Sequence, residues 1–365
     1  MRCLFAMSEW AMPRAVDLRQ PFDDPRGLTG SETSILMYAR EFVRRVDEVH
    51  IVGNFVPPDN GVWEGVRVHS LSELPRLEQE TWDAAFTWMD PRILKNFKQV
   101  GKKVLNQQVN DFSYCQGWES YIDVVTSPAD THRRYLQQHT SFPRDRWLLW
   151  PNAIDQTFYW PAEHVREHRL VYASSPDRAL HWLLELFPLL RRRVPDVTLS
   201  IFYNWQPVYE WNKNAEHEMG CRIRYCKAML DRLTGHGVSH RQSISKNGLI
   251  AEMRKARVLA YPCDPVNFTE GFSVTTLESL SLGCLPVIVG ADALQEVYGE
   301  HVPTVKAPYA VNKHEYIDVL ERALVDDKWY DVQRERALQL REVFCWDRTA
   351  PKFLQELSEI SLVNP

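Results

Sequence analysis

Asn267-Phe-Thr-Glu-Gly-Phe-Ser-Val-Thr-Thr-Leu-Glu-Ser-Leu-Ser-Leu-Gly-Cys-Leu-Pro-Val-Ile-Val289 carries two carboxylates, Glu270 and Glu278, with seven residues between them. A glycine-containing loop, Gly271-Phe-Ser273, leads into a helical pattern in which Val274, Leu277 and Leu280 share one face. Gly283 stops that helix, and Pro286-Val-Ile-Val289 reads as a strand. A loop-to-helix turn presents unpaired backbone amides to an anion. Carboxylates beside it accept hydrogen bonds from hydroxyl groups, and one carboxylate can span a diol. An anion cradle next to two hydroxyl acceptors matches the chemistry of a nucleotide sugar.

Outward from this stretch, short apolar runs alternate with amphipathic ones. Arg2–Met7, Glu48–Gly53, Val66–Ser70, Trp82–Trp88, Lys103–Gln107 and Ile122–Thr126 read as strands. Ser31 to Val46 is the first helix, and Thr29 and Glu32 have capping-box spacing at its start. A loop-rich stretch spans 151–168. A second series follows: strands at Leu170–Ser174, Val197–Tyr203, Val238–Ile244 and Val258–Tyr261, helices at Arg178–Arg193 and Glu216–Leu233, then the Glu270–Glu278 turn. Helices fill Asn312–Asp326, Lys328–Val343 and Arg348–Ile360. Alternation of this kind predicts α/β architecture with parallel sheets covered on both faces, here as two doubly wound domains facing across a cleft. The expected division is 1–165, with a helix at 346–365 returning to it, and 166–345.

The chain has 365 residues, 44% hydrophobic and 25% charged, with a net charge of −5. That balance disfavours a general nucleic-acid binder. The basic run Arg191-Arg-Arg193 reads as a helix end. No stretch approaches a membrane span, and seven scattered cysteines without metal-ligand spacing suit a cytoplasmic protein. No metal site is expected.

Two further loops carry candidate chemistry. Gly27 and Gly30, before the first helix, allow backbone to approach a ligand. Arg178 follows the Leu170 strand, where it can neutralise a departing diphosphate. Trp10, Trp88 and Trp118 fall in first-domain loops, where a ring face can stack on an acceptor.

These segments together resemble a retaining glycosyltransferase of the GT-B fold, similar to the large family 4. Glu270-Gly-Phe-Ser-Val-Thr-Thr-Leu-Glu278 matches the family's Glu-x7-Glu motif. Gly27-Leu-Thr-Gly30 resembles its glycine loop, Pro151-Asn-Ala-Ile-Asp155 its hinge, Ser175-Pro-Asp-Arg178 its diphosphate loop, and Phe344-Cys-Trp-Asp347 the start of its crossing helix. The resemblance covers nearly the whole chain.

The resemblance implies a nucleoside diphosphate sugar as donor, a UDP- or GDP-sugar first, with no cofactor required. Glu278 would hold the ribose, and Glu270 and Arg178 would act at the sugar and diphosphate. Gly271, Phe272, Ser273, Val274 and Thr275 would line the sugar and phosphate, and Gln242 and Ser243 the base. The acceptor hydroxyl would belong to a glycan, a lipid-linked compound or a small molecule ahead of DNA or protein. Three departures stand out. Ala179 replaces the second basic residue or glycine after Arg178, and Ala153 replaces glycine at the hinge. Many relatives place a histidine in the first domain where this chain has Trp88-Met-Asp90 and Asn106–Asp111, so Asp111, or else Asp90, is the expected substitute. Two rival functions stand beside it: a nucleotide-sugar epimerase of the same fold, which the motif and hinge match less well, and a non-catalytic nucleotide-sugar-binding subunit.

Overall fold

Cys3, Leu4, Phe5 and Ala6 are fully buried, as a parallel strand covered on both faces requires. In the computed structural model, which describes residues 1–161, 166–264 and 266–360, they form β1 (Arg2–Ala6) of an eight-stranded sheet. The sheet continues with β2 (Glu48–Gly53), β3 (Val62–Trp63), β4 (Val66–Ser70), β5 (Thr81–Trp88), β6 (Gln99–Asn106), β7 (Val124–Ser127) and β8 (Trp147–Leu149). The order is β8-β7-β6-β5-β1-β2-β4-β3. All pairs are parallel except the edge pair β3–β4.

Helix α1 (Gly30–Phe42) starts at the expected capping box. Thr29 Oγ1 accepts the Glu32 amide at 3.2 Å, and Glu32 Oε2 accepts the Thr29 amide at 2.7 Å. The terminal helix Trp346–Glu359 belongs to this same unit: Phe353 stacks on Trp150 at 3.7 Å and 3°. Residues 361–365 of the expected crossing helix lie outside the described residues. Truncating a fully buried aromatic such as Phe353 costs about 3–5 kcal/mol.

The second sheet has β9 (Glu167–Tyr172), β10 (Thr198–Ile201), β11 (Val238–His240), β12 (Ala256–Tyr261), β13 (Leu285–Val289) and β14 (Thr304–Val305). All pairs are parallel, in the order β11-β10-β9-β12-β13-β14. The order reverses between β9 and β12. Ligands of doubly wound sheets bind at such a switch, beyond the carboxyl ends of the strands.

By contacts the chain forms two compact units. Unit 1 holds 1–24, 28–152 and 346–365, and unit 2 holds 25–27 and 153–345. The reading from sequence put the change at 165, but unit 2 begins at Ala153. Ile154 pairs with Cys345 as a parallel bridge, and Gln156 Nε2 donates to the Arg341 carbonyl at 3.2 Å. Residues 162–165 of the expected 151–168 loop are outside the described residues.

Several short elements were not expected: β3, β8, β14, a helix at Trp205–Asn212, and α2 (Asp130–Leu136). In unit 2, α3 is Leu180–Arg193, so Arg178 precedes the helix. Helix α4 (Lys246–Lys255) was also unexpected, and α5 (Val274–Ser281) is the helix of the glutamate motif.

Candidate functional site

Strands β9 and β12 end at Tyr172 and Tyr261, and the loops after them carry Arg178 and Glu270. The switch point of unit 2 thus brings Arg178 and Glu270 together.

Each glutamate of the motif is held by one tyrosine hydroxyl and one cation. Glu270 accepts a hydrogen bond from the Tyr261 hydroxyl, and Arg178 Nε lies 3.8 Å from its Oε2. Glu278 Oε1 accepts from the Tyr159 hydroxyl at 2.6 Å, and Lys246 Nζ reaches its two oxygens at 2.8 and 3.1 Å. Glu278 is 2% exposed and Lys246 8%. A buried carboxylate needs such partners, because an unpaired charge away from water is strongly unfavourable.

Burial pushes the Glu270 carboxyl above its ordinary pKa, against Arg178, Tyr261 and the amides of Phe272 and Ser273, which favour the charged form. Burial also works against the Arg178 cation, but Asp177 and Glu270 outweigh it and raise its pKa. Arg178 donates to Asp177 and, through Nη2, to the Thr269 carbonyl at 3.2 Å.

The Phe272 and Ser273 amides, expected to face a ligand, also favour the charged form of Glu270. Phe272 is buried, with its ring edge-on to Tyr298 and Phe344. Ser273 is the N-cap of α5 at φ +65°, and its Oγ accepts the Thr276 amide at 3.4 Å. Among the described residues neither the Val274 nor the Thr275 amide has a hydrogen-bond partner. These are the first two N–H groups of α5, the pair best placed to meet an anion. Gly271, Ser273, Val274 and Thr275 are all half-buried.

Six non-glycine residues have positive φ among those described, and four surround this site: Ala179, Gln242, Ser273 and Asp292. Such conformations are unfavourable for L side chains and concentrate at functional sites. Gln242 is exposed and Ser243 half-buried, in the loop leading to α4. Gly27 belongs to unit 2 and stands at φ +70°, where an added Cβ would lie 2.6 Å from the Ile244 carbonyl oxygen. Its freedom serves protein packing. Gly30 is in unit 1, and a Cβ there would meet nothing within 4 Å.

In unit 1, Asp111 is exposed, and its Oδ1 accepts the Ser113 amide at 2.8 Å, the geometry of a turn cap. Asp90 is buried. It accepts from Ser8 Oγ at 2.6 Å and from Arg92 Nε and Nη2 at 2.7 and 2.9 Å. Burial alone would raise its pKa, but these bonds outweigh it and hold the carboxyl low. Trp88 does not line a loop: it is fully buried, with Nε1 donating to Ser34 Oγ at 3.3 Å. Trp10 is 54% exposed. Ala153 is not among the described residues with positive φ, so alanine fits there without strain.

Sequence reasoning missed Lys246, Tyr159, Tyr261 and Asp292. Ser245, whose Oγ accepts the Gly248 amide at 3.0 Å, was the available signal for α4. Nothing in the local sequence signals the tyrosine partners. Among the described residues, no group of three or more His, Cys, Asp or Glu side chains converges as a metal site.

No protein-family model matches the sequence, and no curated protein matches it. Solved structures do. Sucrose-phosphate synthase from Thermosynechococcus elongatus superposes with a TM-score of 0.71 at 12% identity, covering 98% of this chain and 99% of that one. HepE of Anabaena, in complex with UDP and glucose, gives 0.71 at 10% identity over 99% and 100%. The lipopolysaccharide outer core galactosyltransferase WaaB, in its apo form, gives 0.62 at 13% identity over 99% and 100%. The fold shared with these proteins is GT-B.

Proposed function

We propose that this chain is a retaining glycosyltransferase that moves a sugar from a nucleoside diphosphate sugar to a hydroxyl acceptor. The observation that carries the reading is the paired arrangement at the switch point of unit 2: two glutamates, each bound by a tyrosine hydroxyl and a cation, beside two unpaired helix-start amides. GT-B architecture supports it.

In this reading Glu278 receives the ribose and Glu270 the donor sugar. The amides of Val274 and Thr275, with Arg178, face the diphosphate. As the glycosidic bond breaks, charge collects on the leaving phosphate, where fixed donors stabilise it. Arg178 is already paired with Asp177, so the helix amides carry more of that stabilisation. Gln242 and Ser243 lie at the base. Asp111 enters only as an acceptor-side contact, to be tested by Asp111→Asn. The UDP complexes of HepE favour a UDP-sugar. The outer core substrate in WaaB's name favours a glycan or lipid-linked acceptor. No helix among the described residues is long and apolar enough to cross a membrane, and the seven cysteines are unpaired, which suits a reducing cytoplasm.

A thermal-shift panel of UDP-, GDP-, ADP- and dTDP-sugars tests the donor. A ligand at 100 times its Kd stabilises by about 2.7 kcal/mol. Glu278→Ala should then abolish the shift given by the best ligand. An unchanged calorimetric affinity in that variant would sink the assignment of Glu278. The anomeric configuration of the product, read by NMR, decides retention.

A further inference from the structure

Lys246 is not part of the Glu-x7-Glu motif, yet it is the nearest cation to Glu278. Tyr159 and Glu278 are each 2% exposed and Lys246 is 8% exposed, so Lys246 is the most exposed member of a buried cluster. Glu278 Oε1 is committed to two donors, the Tyr159 hydroxyl at 2.6 Å and Nζ at 2.8 Å. Oε2 has only the longer bond to Nζ, 3.1 Å. A carboxylate oxygen accepts about two hydrogen bonds and an ammonium donates three. One acceptor position on Oε2 and one N–H of Lys246 therefore lie side by side without a partner among the described residues.

A donor beside an acceptor is what a hydroxyl group matches, because it gives one hydrogen bond and takes another. A carbon-bound hydrogen in the same place would satisfy neither, leaving that acceptor position and that N–H unmatched. Position adds to this. Lys246 opens α4 one residue after the N-cap Ser245, three residues from Ser243 in the proposed base loop.

We propose that Lys246 is a specificity residue that reads the ribose of the nucleotide: its ammonium donates to a ribose hydroxyl oxygen while that hydroxyl donates to Glu278 Oε2. The proposal rests on the donor reading above. It makes the Lys246–Glu278 pair, and not Glu278 alone, the element that separates ribonucleotides from deoxyribonucleotides.

Calorimetry with UDP, GDP and ADP and with their 2′-deoxy and 3′-deoxy counterparts tests it on the unaltered protein. The best ribonucleotide should bind about 30-fold or more tightly than one of its deoxy forms, as sites built to bond a hydroxyl reject analogues lacking it. In Lys246→Met, the ribonucleotide should fall to the affinity of its deoxy form, so the ratio approaches one. Lys246→Arg should keep part of the preference. Circular dichroism monitors folding of the variants, and the wild-type ratio stands if Lys246→Met does not fold. A wild-type ratio below about threefold, or an undiminished ratio in Lys246→Met, overturns the proposal and leaves the donor reading intact. Failure of the wild type to bind any of the three ribonucleotides overturns this proposal, and failure to bind dTDP as well refutes the donor reading.

Discussion

Asp292 holds Glu270 by its backbone: Asp292 Oδ2 accepts the Glu270 amide at 2.9 Å and the neighbouring Thr269 amide at 2.8 Å. Burial pushes the Asp292 carboxyl above its ordinary range, and the two amides work against that rise. Asp292 stands at φ +50°, a conformation that Asn and Asp tolerate better than alanine. Asp292→Asn should therefore cost little, since one amide oxygen can take both bonds. Asp292→Ala removes the acceptor and keeps the unfavourable φ, so a loss of about 2–3 kcal/mol is expected. Urea unfolding of both variants checks this, and equal midpoints would contradict it.

The two glycines of the first loop should respond in opposite ways to alanine. Gly27→Ala places a Cβ 2.6 Å from the Ile244 carbonyl oxygen at positive φ. It should cost about 1–3 kcal/mol and shift the 242–245 loop, weakening nucleotide binding. Gly30→Ala meets open space at the first position of α1, where alanine is the better helix former. Its stability should rise by up to about 0.5 kcal/mol. Denaturation midpoints for the pair are the measurement.

Ala179→Gly probes the loop that carries Arg178. Ala179 is fully buried at φ +67°, a conformation in which glycine is at ease. The variant should gain less than about 1 kcal/mol. If the strain serves to hold Arg178, nucleotide affinity should fall while the melting temperature rises. Parallel changes of both would show that the strain is structural only.

Acid should weaken unit 1 through His132. The ring is fully buried: Nδ1 takes the Ser127 hydroxyl at 2.7 Å and Nε2 donates to the Val109 carbonyl at 3.2 Å. Burial lowers its pKa to about 4 from the usual 6.5. Between those values the unfolded chain binds a proton that the folded chain refuses. Stability from this group is thus complete above about pH 6.5 and is lost as pH falls toward 4, by about 3 kcal/mol in all. His181 in unit 2, lowered by burial to about 3, acts in the same direction. Urea unfolding at pH 7 and pH 4.5 should show a smaller drop in His132→Gln than in the wild type.

The strand framework was legible because β1 and β13 are nearly continuous apolar runs, and β5 and β12 carry apolar stretches such as Ala84-Ala-Phe86 and Val258-Leu-Ala-Tyr261. The glutamate motif was legible because Gly271, Gly283 and Pro286 mark its loop, helix end and strand. The holding groups were not. Lys246 meets Glu278 across 32 residues and Tyr159 meets it across 119, separations that no local pattern encodes. Helix α4 has few buried apolar side chains, Ile250 and Met253, and so lacks a strong helical stripe. Gly27 and Gly30 look alike in sequence but differ in backbone conformation and in what packs beside them.

The placement of the terminal helix has a consequence for synthesis of the chain. Phe353 covers Trp150, and Trp346 meets Tyr38 at 4.6 Å, so unit 1 closes its core with residues made after all of 153–345. At about 5–20 residues per second, the ribosome needs roughly 10–40 s to pass from one to the other. For that interval the aromatic seat of the last helix stands uncovered on the nascent chain, a natural target for a chaperone.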